Sequence, residues 1–369
     1  MSALPRQGLD GALAFVAPVT LVLLVALFGN TTEAGTREDV IAALVAVSIV
    51  VALHVFIGNS GVISFGHISF VALGAFAAGL MTIPAAIKPT LLPELFPFLA
   101  ENDIGNVPSL ALAAALGALF AFLAGLPLMR LSGIAAGIAT FAVLEITHNV
   151  LRFWDKIGPG AKTLSLVPET TDLTQATIGA LIAITVAFAY GRSRAGRALR
   201  ASREDGPAAQ AVGVNIHRQR LLAFTISGAL AGFAGGLLVH QLGSITTEQV
   251  YLDLTFLTLA MLIIGGAASL FGAVLGALLI SFFDSFLLDA ESGTDLAGIE
   301  VTLPNGSGTV ILGVLMALVL ILRPRGITKG KEVSLPRRRR RGDPGFAPAA
   351  ATPPQPPAAT PPQGRKLDV

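Results

Sequence analysis

Ten long apolar segments determine what this chain can fold into. They lie at approximately residues 11–28, 40–57, 62–83, 109–126, 132–151, 174–190, 220–242, 252–265, 267–288 and 307–322. Most of them approach the roughly 20 residues that a helix needs to cross the hydrocarbon core of a bilayer. Because lipid offers the backbone no hydrogen bonds, such segments are helical. The sequence therefore predicts an all-α fold, a polytopic membrane helix bundle with about ten transmembrane helices.

The low charge content of the chain supports a membrane protein over a soluble one. Charged residues make up 13% of the sequence and hydrophobic residues 53%, whereas a soluble domain carries roughly 25% charged residues. Cysteine is absent, which excludes disulfides, thiolate metal sites and cysteine nucleophiles. The five histidines are scattered without the spacing of metal ligands, so the sequence predicts neither a metal site nor a cofactor.

Two of the ten segments allow more than one interpretation. Residues 252–265 are short for a full crossing, and only Gly265, Gly266 and Ala267 separate them from the next segment. A tilted or broken helix inside the bundle is the alternative there. Residues 11–28 could be a secretory signal, but no clear small-x-small cleavage site follows them. We therefore expect an uncleaved first helix.

Basic residues are distributed unevenly between the loops. With ten crossings and both termini in the cytoplasm, 20 of the 25 lysines and arginines lie on the cytoplasmic side, as the positive-inside rule requires. The loop at 289–306 lies outside in this arrangement, and it holds four acidic residues and no basic one. We expect a multi-pass protein of the plasma (inner) membrane with cytoplasmic N- and C-termini.

The end of the chain differs from the rest. Residues 324–369 contain the arginine run 337–341 followed by a stretch rich in proline and alanine. Such a composition cannot bury a core, so we predict a disordered cytoplasmic tail after a transmembrane domain at 1–323. The arginine run is expected to bind anionic lipid of the bilayer, and no nucleic-acid partner is expected.

One loop, at 191–218, is strongly basic and has helical features. Pro207 and Gly213 bracket a second short helical piece, in the positions typical of a helix start and end. The loop is either a solvated, topology-determining segment or a docking surface for a cytosolic partner, and the small apolar residues between its arginines favour docking. The residues assigned to this surface are Arg194, Arg197, Arg200, Arg203, Glu204, Asp205 and Gly213.

Polar residues within apolar segments are candidates for a translocation pathway. Glu145 is the clearest, because an ionised carboxylate at a helix centre costs about 2.5–3.5 kcal/mol on insertion scales. It either lines a route or stabilises the bundle through His148, Asn149 or Arg152. Ser64, His67, Ser69 and Thr140 are the other candidates, with ordinary hydrogen bonding between helices as the alternative. Glycines at 228, 232, 236, 272 and 276 recur every four residues and predict close helix packing.

Four blocks of sequence carry a resemblance to a known family. They are the Arg-Ala-Leu-Arg-Ala stretch from Arg197 with its continuation to Gly235, the Gly-Val-Ile-Ser-Phe-Gly-His block at 61–67, the Leu-Ser-Gly-Ile block at 131–134 and the glycine-rich block at 264–277. In order and spacing they closely resemble the permeases of branched-chain amino acid ABC importers, and the M-type subunit in particular. The resemblance covers roughly residues 55–325.

This resemblance implies a type II ABC-importer-like permease. Such a subunit moves a small solute inward by ATP-driven alternating access, and branched-chain amino acids are the expected substrates. It pairs with a homologous second permease, two cytosolic ATP-binding subunits and an extracytoplasmic solute-binding protein. The loop 191–218 would be its coupling element. The chain itself is not expected to be an enzyme, since ATP hydrolysis belongs to the partner subunits.

Three alternatives remain at this stage. Relatives in the same family import urea and short amides, so the resemblance specifies the substrate less strongly than the fold. A secondary transporter would carry midplane charges and inverted repeats, and Glu145 is the one convincing midplane acid in the sequence. An integral-membrane enzyme would need a cluster of acids, histidines or a nucleophile with its base, and no such cluster is visible.

Overall fold

The computed structural model describes residues 4–332, except 297–298, 302–303, 305 and 324–325. These residues belong to one compact unit that is built almost entirely of helices. In chain order they form α1 (Leu4–Thr31), α2 (Ala34–Ser60), α3 (His67–Thr82), α4 (Lys88–Leu91), α5 (Pro97–Glu101), α6 (Asn106–Leu128), α7 (Gly133–Phe153), α8 (Leu173–Arg192), α9 (Arg194–Glu204), α10 (Gly206–Ala211), α11 (Ile216–Leu242), α12 (Leu252–Gly265), α13 (Leu270–Ser292), β1 (Thr294–Leu296), β2 (Ile299–Val301) and α14 (Ser307–Leu322).

Each of the ten predicted segments coincides largely with one helix of the structure, which confirms the polytopic helix bundle. Seven helices of the described chain are long and apolar enough to cross a membrane, and α3 and α12 are shorter apolar helices. The main difference lies at 62–66, where the predicted segment is not helical. Gly61, with φ +70°, ends α2 in the left-handed region. The chain then stays non-helical, with a bend at Phe65 and a turn at Gly66, until α3 begins at His67.

Two helices form the centre of the bundle. The second half of α2 is buried on every side, between α8, α11, α12 and α13. Helix α11 is the second central helix, and it packs along α2, α3 and α6. A helix that is apolar all round is expected at such a central position.

Glycines allow α3, α6 and α11 to approach one another closely. A Cβ atom on Gly74 would lie 2.1 Å from the carbonyl oxygen of Gly232, and one on Gly117 would lie 2.3 Å from that of Gly228. A Cβ on Gly232 would in turn lie 2.3 Å from the carbonyl oxygen of Ala113. No side chain fits at these distances, so the predicted glycine-mediated packing is confirmed.

Helices α12 and α13 are separate, antiparallel and equally close. Gly266, with φ +117°, reverses the chain between them. A Cβ on Gly265 would lie 1.9 Å from the carbonyl oxygen of Gly272. The two segments predicted here are therefore distinct helices, and α12, with 14 residues, is the shorter of the two.

At the end of the bundle opposite α9 and α10, several short elements cover the helices. Residues Leu164 and Ile245 form a β-bridge, and β1 pairs with β2 in antiparallel register. Helices α4 and α5 are joined by Lys88, which is fully buried and donates hydrogen bonds to the carbonyl oxygens of Leu99 (2.9 Å) and Asn102 (2.5 Å). Burial lowers the pKa of Lys88, and nearby Asp103 opposes this effect.

We expect Lys88→Met to lower the stability of the protein by about 1 kcal/mol, since the substitution removes two part-buried hydrogen bonds to carbonyl groups. The thermal melting temperature of the purified protein in detergent measures this effect. Lys162→Met is the matched control, because Lys162 is an exposed lysine at the same end of the bundle. Equal melting temperatures for both variants would contradict the structural role of Lys88.

The first part of the predicted tail includes residues that the structure describes. Residues 326–332 pack against the compact unit, and the amide of Ile327 donates a 2.8 Å hydrogen bond to the carbonyl oxygen of Ile264. Residues 326–332 are therefore treated below as a segment of their own. The arginine run and the segment rich in proline and alanine lie outside the described residues, so disorder there stays a prediction.

Candidate functional site

The basic loop between α8 and α11 forms the two helical pieces that the sequence predicts. Ser193 begins α9 by accepting a 3.0 Å hydrogen bond from the amide of Gly196. Asp205 begins α10 in the same way, through a 2.9 Å bond from the amide of Ala208. Gly213 follows α10 with φ +88°. Two side-chain caps and one left-handed glycine thus give the loop a defined shape.

Two of the exposed arginines of α9 also bond the end of α2. Arg200 donates a 2.9 Å hydrogen bond to the side chain of Asn59, and Arg203 donates a 2.8 Å bond to the carbonyl oxygen of Gly58. Both partners lie at the end of α2, where positive charge is favourable. Burial lowers the pKa of Arg200, but a guanidinium remains charged. These two arginines therefore attach α9 to α2.

The residues of the predicted docking surface are all exposed to solvent. Arg197 bonds the carbonyl oxygen of Arg192 at 2.6 Å within the loop. The exposed set comprises Arg194, Glu204, Asp205 and Gly213 together with Arg197, Arg200 and Arg203. Val212 was missed by the sequence analysis, although it is 81% exposed. An apolar residue that follows a short polar helix and precedes a glycine was the available signal for it.

Three of the predicted pathway residues meet where α2, α3 and α7 come together. The amide of Phe65 donates a 3.2 Å hydrogen bond to the hydroxyl of Thr140. Ser64 contacts the Nδ1 atom of His67 at 2.8 Å. The non-helical segment 61–66 therefore packs on α7 about 10 Å beyond the start of that helix.

His67 and Ser69 are interior residues. The His67 ring is enclosed by Phe56, Phe70 and Phe224, with ring centroids between 5.2 and 5.7 Å away. The hydroxyl of Ser69 has no hydrogen-bond partner within the described chain. In this conformation both side chains are buried and are closed to a passing solute.

Glu145 lies apart from that group and has partners on two elements. Its carboxylate accepts a 2.7 Å hydrogen bond from Asn149 and a second one from the hydroxyl of Tyr251. Of the three partners that the sequence suggested, only Asn149 binds Glu145. The ring of His148 instead stacks on Tyr251 at 3.9 Å.

The loop that precedes α12 completes this cluster. Glu248 accepts a hydrogen bond from Arg152 and lies 3.7 Å from the Nε2 atom of His148. Glu248 and Tyr251 were not recognised in the sequence. They come from a loop about a hundred residues away, and no local pattern connects them to α7. The cluster fastens the start of α12 to the middle and outer part of α7.

The hydrogen bond to Glu145 raises the pKa of Tyr251 to about 12, and desolvation adds to the effect. We expect Tyr190→Phe, which leaves Tyr251 as the sole tyrosine, to reach half of its tyrosinate absorbance at about pH 12. Adding Glu145→Gln should move the transition towards the ordinary value of about 10, because the neutral amide no longer favours the protonated phenol. An unchanged transition would contradict the contact.

Substitution of Glu145 separates two possible roles. If the carboxylate mainly stabilises the bundle, Glu145→Gln should be mild, whereas Glu145→Leu should lower the melting temperature by leaving the half-buried Asn149 and Tyr251 without their acceptor. If it lines the route, both variants should assemble normally and change uptake. We expect the first result, because two hydrogen bonds already occupy the carboxylate. A stable Glu145→Leu protein without uptake would refute this expectation.

Membrane-length helices, close glycine contacts between them and one basic two-helix loop define a multi-pass membrane protein. The model of the family described as branched-chain amino acid transport system / permease component matches residues 38–320, and the chain belongs to this family. It is therefore a transport subunit, as the sequence predicted.

Individual relatives agree with the family match. The high-affinity branched-chain amino acid transport system permease protein LivM of Escherichia coli is 25% identical over 84% of this chain and 73% of its own length. The corresponding permease protein BraD of Pseudomonas aeruginosa is 35% identical over 42% of this chain and 46% of its own length. The autoinducer 2 import system permease protein LsrC of Enterobacter sp. is 29% identical over 51% of this chain and 58% of its own length.

Proposed function

We propose that this chain is one permease half of an ATP-driven importer that carries branched-chain amino acids inward across the plasma membrane. The main support for this proposal is the α9–α10 loop. Side chains cap both of its helix starts, and two of its arginines bond the end of α2. A loop that only set the topology would need charge but not a fixed shape. A loop that transmits force from a partner needs both.

The proposed partners match exposed surfaces of the chain. Two cytosolic ATP-binding subunits would be engaged through the outward side of α9 and α10, with Val212 as an apolar contact. A homologous second permease would cover α7, whose Ile134 and Ile138 are 84% and 65% exposed. An extracytoplasmic solute-binding protein would dock at the end that carries α4 and α5. This assignment places both termini in the cytoplasm, in agreement with the positive-inside rule.

The proposed route for the solute runs along α7. The segment 61–66, Thr140 and the cluster around Glu145 lie at successive heights on this helix, and Phe65 contacts Phe256 of α12 nearby, with ring centroids 6.4 Å apart. The exposed residues around them are mainly apolar. An apolar route suits a branched side chain and holds it weakly, which permits rapid release.

Uptake by the reconstituted importer tests the proposal. The complex in proteoliposomes should accumulate radiolabelled leucine only with ATP, and a complex with hydrolysis-deficient ATP-binding subunits is the control. Parallel uptake of urea and a short amide separates the substrate classes. ATP-driven uptake of urea but not leucine would replace the substrate, and leucine uptake that needs an ion gradient but no ATP would refute the mechanism.

A further inference from the structure

Residues 326–332, called the C-terminal segment below, contact the end of α12 and the start of α13. The segment lies against the turn between α12 and α13, defined as residues 266–269. Thr328 donates a 2.8 Å hydrogen bond from its hydroxyl to the carbonyl oxygen of Gly265, beside the backbone bond from Ile327 to Ile264. Gly326, with φ +71°, lies so close that a Cβ would be 2.6 Å from the Cα of Gly266. This is a tightly fitted contact of backbone on backbone.

Glu332 secures the other end of the segment at the start of α13. Its carboxylate accepts hydrogen bonds from the amide of Leu270 at 2.6 Å and the hydroxyl of Ser269 at 3.2 Å. A third, longer bond comes from the amide of Phe271 at 3.4 Å. These amides belong to the first turn of a helix, which has no internal acceptors for them and favours a negative charge.

The turn is also held from the side of α2. His54 contacts the carbonyl oxygen of Ala267 through its Nδ1 atom at 2.9 Å. A Cβ on Gly58 would lie 2.5 Å from the same oxygen, so the backbones of α2 and the turn touch. Gly58 is also the residue whose carbonyl oxygen Arg203 of α9 binds. The turn is thus gripped between the end of α2 and the C-terminal segment.

Glu332 also faces the basic helix. It lines a cleft of about 220 Å³ together with Arg200, His54 and Asn59. A second cleft of about 590 Å³ lies between Arg203 and Glu204 on one side and Lys329 and Gly330 on the other. Helix α9, the end of α2, the turn and the C-terminal segment therefore form one connected assembly at this end of the bundle.

We propose that Glu332 is a positioning residue for transport, through which the C-terminal segment makes the α12–α13 turn move with the α9–α10 loop. This inference rests on the proposed function. It assigns α12, whose start is tied to α7 through Tyr251, as the helix that receives the movement of the loop. The segment remains bound throughout the cycle and does not act as a gate that opens.

The test compares Glu332→Ala with the unaltered chain in the reconstituted importer. We expect basal ATP hydrolysis to persist and leucine uptake per ATP hydrolysed to fall by about fivefold or more, the low end of typical coupling effects. Glu332→Gln keeps one acceptor oxygen, so its leucine uptake per ATP should lie between that of Glu332→Ala and that of the unaltered chain. Lys331→Ala, which removes an exposed neighbouring charge, is the matched control and should couple normally.

A cross-link tests whether the role is positional. The chain has no cysteine, and a Cβ at Gly330 would lie 3.1 Å from that of Ala268, close to the range of about 3.5–4.5 Å in disulfides. Ala268→Cys with Gly330→Cys should form a disulfide, transport normally when oxidised, and restore coupling to Glu332→Ala. Each single cysteine variant under the same oxidation is the control.

The outcomes separate this inference from the proposed function. Absence of substrate-stimulated ATP hydrolysis with the unaltered chain would refute the proposed function and the inference together. With a functional unaltered chain, normal coupling in Glu332→Ala would overturn the inference alone. Loss of transport on oxidation of the double-cysteine variant, with both single variants active, would do the same, because it would mean that the segment must detach.

Discussion

Gly232→Ala is expected to destabilise the helix bundle by about 1–3 kcal/mol, the usual cost of overpacking a tightly packed core. The added methyl group would lie 2.3 Å from the carbonyl oxygen of Ala113. Helices α6 and α11 would have to separate, and Gly74 of α3 would lose its close contact on the same residue. The melting temperature in detergent and the yield of monodisperse protein measure the effect.

Gly313→Ala is the matched control for this substitution. Gly313 is also within a helix, but nothing lies within 4 Å of an added Cβ. Alanine has a helix propensity about 1 kcal/mol more favourable than glycine, so the control should be neutral or stabilising. If both variants behaved alike, the close approach of α3, α6 and α11 would not contribute to stability.

Asp205→Lys is expected to have the largest effect on transport among substitutions in the basic loop. The variant loses the hydrogen bond that begins α10, at about 0.5–2 kcal/mol, and places a positive charge at a helix start, at about 0.3–1 kcal/mol. Helix α10 should then lose its defined position beside α9. Substrate-stimulated ATP hydrolysis and leucine uptake should fall several-fold, while membrane insertion stays normal.

Asp205→Asn separates the hydrogen bond from the charge. Asparagine begins helices as well as aspartate does, so this variant should retain most of the coupled activity. Both variants are compared in the reconstituted importer. Equal loss of activity in both would show that the carboxylate contacts a partner directly, and full activity in both would contradict a coupling role for α10.

The helices and their close packing could be predicted because both depend on local sequence. Apolar length determines the crossings, and glycine at every fourth residue places small residues on one helix face. The orientation of the arginines in α9 could not be predicted by the same means. Three residues advance a helix by about 300°, so side chains at this spacing rotate steadily around the axis. Arg200 and Arg203 consequently reach the end of α2, although both remain exposed to solvent.

The missed parts of the site depend on contacts between distant parts of the chain. Tyr251 reaches Glu145 because a loop folds over α7, and no periodic pattern records that fold. Residues 326–332 fall in the predicted tail because they lie beyond the last apolar segment and are polar. Their contacts use backbone groups and a single carboxylate, Glu332, which composition does not reveal. The sequence thus predicted the helices well, but it did not predict the contacts that loops and backbone groups make.

The non-helical segment 61–66 limits what can surround this chain in a membrane. An acyl chain cannot hydrogen bond, so exposed non-helical backbone is excluded from the hydrocarbon and must face protein or water. Ile63 is 49% exposed, and the segment reaches the level of Thr140 on α7. Lipid therefore cannot wet this flank. If a single copy stood alone in the bilayer, water would have to fill the space beside this segment. A second protein surface packed against the segment would exclude that water.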